Sequence, residues 1–165
     1  MRTYWLKSVG STDDPQVEDW VISAPQELTE VRFPAKGKPA VRVGDYLVYY
    51  APGHEKVIGI VEVNGLPTDD TVEMRWPWRC QIRPHLVLGS IERAPSIDVL
   101  SDPERDFRAS GRQQSHVAIT EEQYDRALVA LEAVFDATKG DMLDSGPFFK
   151  TRLTRRPSTA AASTG

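Results

Sequence analysis

The chain has 165 residues, 40% hydrophobic and 27% charged, enough for one globular domain that buries roughly two-thirds of its unfolded surface and too few for a second full domain. A single cysteine, Cys80, excludes an intramolecular disulfide and a cysteine-rich metal site, and His54, His85 and His116 lack ligand spacing, so no metal or cofactor is implied. The formal net charge of −4 hides a partition: four of the 20 basic residues, Lys150, Arg152, Arg155 and Arg156, lie beyond position 149 with no acid among them, leaving 16 basic against 24 acidic groups, about −8, in residues 1–149. Such a body does not coat duplex DNA, and any nucleic-acid contact must be local.

Met1-Arg2-Thr3 runs directly into an amphipathic strand, and no apolar run approaches the ~18 residues of a membrane span, so a reduced, cytoplasmic protein without a membrane partner is expected. The apolar period is mostly two, which predicts strands at Tyr4 to Ser8, Leu28 to Phe33, Tyr46 to Tyr50, Lys56 to Val63, Met74 to Arg83 and Ser115 to Ile119. Turn chemistry separates them at Asp13-Asp14-Pro15, Val43-Gly44-Asp45, Pro52-Gly53 and Asn64-Gly65. Tyr46 to Tyr50 and Lys56 to Val63 read as a hairpin joined through residues 51–55.

One strong helix follows. Thr120 caps it with Gln123 three residues on, Tyr124, Leu128, Leu131 and Phe135 form an apolar stripe, and Lys139-Gly140 is a stop. From Pro157 onward the sequence has little to bury. Residues 1–149 therefore read as the domain and 150–165 as a basic, disordered tail.

The predicted strand from Met74 to Arg83 has two unlike faces. Met74, Trp76, Trp78, Cys80 and Ile82 alternate with Arg75, Pro77, Arg79, Gln81 and Arg83, giving an apolar face and a cationic one. Pro77 cannot donate to a ladder, so a bulge or an edge position is expected there, able to turn Trp76 or Trp78 out of the core. The other chemistry-bearing stretch pairs Tyr4-Trp5-Leu6-Lys7-Ser8 with Asp19-Trp20-Val21-Ile22-Ser23-Ala24-Pro25. A strand ending in Lys-Ser and a loop tryptophan are the parts needed to hold a flat, hydrogen-bonding ring: the indole stacks while short polar groups read the edge. The plainer reading makes Trp20 a plug at one end of the fold, and His116 and Ser115 structural.

Tyr4 to Ser8, Val43 to Tyr50, Ile58-Gly59-Ile60-Val61-Glu62-Val63 and Ser115 to Thr120 before a helix occur in an order that resembles an EVE domain of the PUA-like superfamily, related to YTH readers and ASCH domains. The resemblance spans roughly residues 4 to 135. It implies an α+β fold, a mixed β-barrel of about six strands with peripheral helices and one strong C-terminal helix, and a pocket for a modified base in RNA or DNA. By matched position it implies Lys7, Ser8, Trp20, Val21 and Ser23 as ligand-binding residues, with Trp76 or Trp78 as a second cage tryptophan. YTH readers carry a phosphate-binding arginine at the start of the last helix, where this chain has Thr120-Glu121-Glu122; Arg112 would have to substitute. The ligand is thus open between methylated adenine, a modified cytosine and another base, and the oligomeric state is open too.

The main expectation is non-catalytic binding of a modified nucleobase in single-stranded or flipped-out nucleic acid. The alternative from the ASCH resemblance is an amidohydrolase of acylated cytidine, with Lys7, Ser8 and Glu62 as its catalytic set. A third reading is a protein-interaction module built on the Trp-rich strand and the basic tail. If the tail serves only attachment, deleting residues 150–165 should lower oligonucleotide affinity at low salt and leave free-nucleoside affinity unchanged. Titrations across salt concentrations check this, with the log–log slope falling by up to ~0.7 per lost contact on a single strand.

Overall fold

The computed structural model describes residues 2–9, 29–34, 37–70, 75–88, 91–104, 107 and 116–137. Seven strands and a helix follow in chain order: β1 (Tyr4–Ser8), β2 (Glu30–Phe33), β3 (Tyr46–Ala51), β4 (Lys56–Val63), β5 (Thr68–Asp69), β6 (Trp78–Val87), β7 (His116–Ile119) and α1 (Glu121–Ala137). Six strands form one path in the order β2-β6-β4-β3-β1-β7, and the two-residue β5 pairs with β6 outside it. All pairs are antiparallel except β1 with β3. The sheet is curled: Phe33 on β2 and His116 on β7, at opposite ends of the strand order, bring their rings to 4.9 Å. This is the α+β, barrel-like sheet with one strong C-terminal helix that the sequence led one to expect. No helix among the described residues is long and apolar enough to cross a membrane.

The middle of the sheet is apolar on both faces because both are covered. Leu47 to Ala51 on β3 and Val57, Ile58, Ile60 and Val61 on β4 are fully buried, as expected for strands between a helix layer and the interior of a curled sheet. α1 supplies that layer through Tyr124, Ala127, Leu128, Leu131 and Phe135. Its start is the expected capping box: Gln123 N–H donates to Thr120 Oγ1 at 3.1 Å and Thr120 N–H to Gln123 Oε1 at 2.9 Å. Gln123 Nε2 also donates to the Leu100 carbonyl at 3.2 Å, tying the helix start to the 3-10 turn Ile97–Val99. Gly59 permits close approach of β4 and β6, since a Cβ there would lie 3.0 Å from the Leu86 carbonyl oxygen.

The β6 strand corrects one expectation. It runs from Trp78 to Val87 instead of from Met74 to Arg83. Pro77 precedes it and its carbonyl accepts from Asp70 N–H at 2.6 Å, so the proline ends a turn and does not bulge a strand. The proline inside the strand is Pro84, at an irregularity where Ile60 pairs with Leu86 and Val61 with Pro84, leaving His85 as the extra residue. A bulge tolerates the missing donor there. The strand starts expected at Leu28, Met74 and Ser115, the Lys139-Gly140 stop and the tail from 150 lie outside the described residues.

Asp45 joins the start of β1 to the start of β3. It is 1% exposed, and its carboxylate accepts from Thr3 N–H at 2.9 Å, Trp5 Nε1–H at 3.0 Å and Arg42 N–H at 2.9 Å. The preceding Gly44 has φ +92°, a conformation that glycine adopts without steric cost. Asp45→Ala removes one acceptor and strands three donors, so it should cost about 3 kcal/mol or more of stability. Chemical denaturation of the variant checks this; a loss under ~1 kcal/mol would contradict it.

Candidate functional site

The candidate site forms where the end of β1, the start of β7, the end of β2 and the segment entering β6 meet. Lys7 is at its centre. Although only 3% exposed, it is a lysine that must keep its ammonium solvated by something. Nζ donates to the Ser8 carbonyl at 2.7 Å and stands 5.2 Å from the Phe33 ring centre and 5.8 Å from that of Trp76. Both rings are within cation–π range. Trp76 is 39% exposed, so its indole is both a wall for the ammonium and a surface open to a ligand. Trp78 is the cross-strand partner of Phe33 and packs, partly buried, against the core.

His116 is the register partner of Lys7 across the β1–β7 ladder. Its ring meets Phe33 edge-on and lies 5.4 Å from the Trp5 ring, and Trp5 is in turn held through its indole N–H by Asp45. Burial lowers the His116 pKa, and the positive charge of Lys7 lowers it further. The mouth thus collects an ammonium, two aromatic faces and an imidazole that is neutral at neutral pH. A planar ring placed on Trp76 would find a cationic donor at one edge and a neutral donor-acceptor close by. Of the residues expected in the site, the structure brings Lys7 and Trp76 together; Phe33 and His116 join them only through the β1–β7 and β2–β6 registers, which the sequence does not show.

Ser8 enters through its backbone carbonyl, since strand alternation turns its side chain to the face opposite Lys7. Glu62 is also on that other face: it pairs with Tyr46, and Tyr46 with Tyr4, whereas Lys7 is three residues along β1. The structure therefore does not assemble Lys7, Ser8 and Glu62 into one catalytic set. Glu62 instead lies 2.9 Å from Arg83 Nη2 and 2.7 Å from His85 Nε2. Burial alone would raise its pKa, but hydrogen bonds and charge from Arg83 and His85 more than offset this and hold it low. The His85 pKa is lowered, chiefly by burial, against the pull of Glu62. The bulge at His85 makes this contact, which periodicity could not anticipate.

The cationic face expected on β6 is not a bare row of charge. Arg79 faces Glu30 and Asp70 at 3.8 and 3.9 Å, and Arg83 is paired with Glu62. Trp20, Val21, Ser23 and Arg112, the other residues expected in the site, lie outside the described residues.

No protein-family model matches the chain, and no curated protein matches it. Solved structures share the fold. The NMR structure of Rpa0253 from Rhodopseudomonas palustris superposes with TM-score 0.55 at 16% identity, over 79% of this chain and 94% of that one. A hypothetical protein from Leishmania major gives 0.51 at 16% identity, over 81% and 96%. The YTH domain of Mmi1, solved in complex with RNA, gives 0.54 at 8% identity, over 82% of this chain and 81% of that one. The chain therefore has a YTH/PUA-like fold.

The histidine shifts set a direction for pH dependence. His85 and His116 both have folded-state pKa values below the ordinary 6.5, so the unfolded chain binds protons first. Their stabilising contribution is complete above pH 6.5 and is lost as pH falls through their folded values. Glu62, lowered from 4.5, adds a further loss at more acidic pH. Melting curves should show stability falling as pH drops below 6.5, with a shallower fall in a His85→Gln/His116→Gln variant. An unchanged slope in that variant would contradict it.

Proposed function

We propose that this domain binds a modified nucleobase, presented in single-stranded or flipped-out nucleic acid, on Trp76 and beside Lys7. The observation that carries the reading is the exposed Trp76 indole, whose ring is shared with a buried ammonium. Few other arrangements offer a flat apolar surface and a charge-assisted donor to one planar heterocycle. The Mmi1 YTH domain, which has this fold, was solved with RNA, and that supports a nucleic-acid partner here. The resemblance to EVE domains belongs to the same proposal. In it, Trp20 stacks on the second face of the base, Val21 and Ser23 complete the loop side, His116 reads an edge, and Arg112 with the Lys150 to Arg156 stretch contacts phosphate. Trp78, packed against the core, supports the rim without touching the base. Binding is favoured over the amidohydrolase alternative because Lys7 and Glu62, two members of its catalytic set, are on opposite faces of the sheet.

Short single-stranded RNA and DNA carrying methylated or acylated bases, titrated against the protein, test this. Trp76→Ala should weaken binding by about 1 to 3 kcal/mol, the loss for one stacked base, while leaving the fold intact. Trp20→Ala should do the same, whereas Trp78→Ala should lower stability more than affinity. Affinity unchanged in Trp76→Ala would overturn the assignment of the site.

A further inference from the structure

The outer surface of the sheet, behind Trp76, carries a square of alternating charge. Arg32 on β2 and Arg79 on β6 are direct cross-strand partners, an arrangement that repels in an antiparallel pair. Two acids bridge both. Glu30 lies 3.1 Å from Arg32 and 3.8 Å from Arg79, while Asp70, just after β5, lies 3.7 Å from Arg32 and 3.9 Å from Arg79. Removing either acid would leave the facing Arg32 and Arg79 with a single bridge.

The square reaches the site through the backbone. Arg32 Nη1 donates to the carbonyl of Trp76 at 3.4 Å, and Asp70 N–H donates to the carbonyl of Pro77 at 2.6 Å. The β6 ladder begins only at Trp78, so Trp76 and Pro77 are tethered by these contacts and not by strand pairing. The Arg32 guanidinium and the backbone N–H of Asp70, whose carboxylate holds Arg32 in the same network, thus grip the two peptides that carry the indole to Lys7. The same peptides have the site on their inner side and the square on their outer side.

We propose that Arg32 and Asp70 are positioning residues for Trp76, setting the angle and depth of its indole and, given the base-binding reading above, the affinity for the base. The square is partly exposed, with the Arg32 side chain at 36%, so salt weakens it. A neutral nucleoside has no phosphate and releases no counterions, so its binding has no other electrostatic reason to depend on salt. The square gives it one.

Two measurements on the full chain test this. The first needs no ligand. Acrylamide quenching attributable to Trp76, taken as the difference between wild type and Trp76→Phe, is followed from about 0.01 M to about 1 M salt, where the Debye length falls from about 30 to about 3 Å. Quenching should rise with salt in the wild type, should already be raised at low salt in Arg32→Gln and in Asp70→Asn, and should respond little to salt in either variant. Circular dichroism identifies a variant that has unfolded, and the other variant then decides. Quenching of Trp76 that is indifferent to salt and to the folded variant overturns the proposal. The second measurement titrates free 5-methylcytidine and N6-methyladenosine. Arg32→Gln should weaken whichever binds by about three- to fivefold, the range an exposed ion pair can supply, Arg32→Lys should fall between it and wild type, and Arg32→Gln should add no loss in a Trp76→Ala background. An equal loss in that background would overturn positioning through Trp76. Failure of both nucleosides to bind wild type counts against the base-binding reading, and the quenching result still decides whether the square holds the indole.

Discussion

The buried carboxylate of Asp45 is the constraint on which the rest of this fold depends. An anion with almost no access to water must be met by donors, and the three that meet it come from Thr3, Trp5 and Arg42. Those donors fix where β1 enters the sheet relative to β3, the one parallel pair. The register that follows places Lys7 opposite His116 on its other flank. One of the three donors is the Trp5 indole, whose ring touches His116. A turn residue at one end of β1 is thereby linked, through one side chain and one register, to the chemistry at the other end.

The sheet keeps its two faces chemically separate. On the face toward α1, Tyr4 and Tyr46 are in mutual ring contact with Tyr124 of the helix, with Arg2 4.3 Å above Tyr46 and the Glu62–Arg83–His85 cluster beside it. In that cluster Glu62 pairs with both Arg83 and His85, across β4 and β6. The opposite face carries the Lys7 ammonium at the mouth, where it donates to the Ser8 carbonyl and stands within cation–π range of Phe33 and Trp76.

Much of this was legible where local chemistry decides the outcome. The β3–β4 hairpin, the bounds of β4 and the Thr120–Gln123 capping box follow from alternation and from side chains that bond to their own backbone. Reading failed at β6, where the irregularity expected at Pro77 lies instead at Pro84, beyond the expected strand end at Arg83 and opposite Ile60 and Val61 of another strand. It failed again for Glu62 and the arginines, because which acid meets which cation depends on registers between strands up to 49 residues apart, as for Glu30 and Arg79. Phe33 and His116 remained hidden for the same reason: each looks like an ordinary strand residue until the sheet curls.

That curl has a kinetic consequence. Lys7 and His116 are direct partners yet are separated by 109 residues of chain, and Phe33 meets His116 only when the two ends of the strand path converge. Contacts of such long sequence separation form slowly, because the loop entropy must be lost before the contact returns anything. The β3–β4 hairpin has no such delay. The order of assembly implied is a central hairpin first, with β1 and β7 docking afterwards, so the mouth around Lys7 is among the last parts of the molecule to exist. A species that has its core but has not yet paired β7 would be compact and helix-competent, yet unable to present the Lys7–His116 edge to anything.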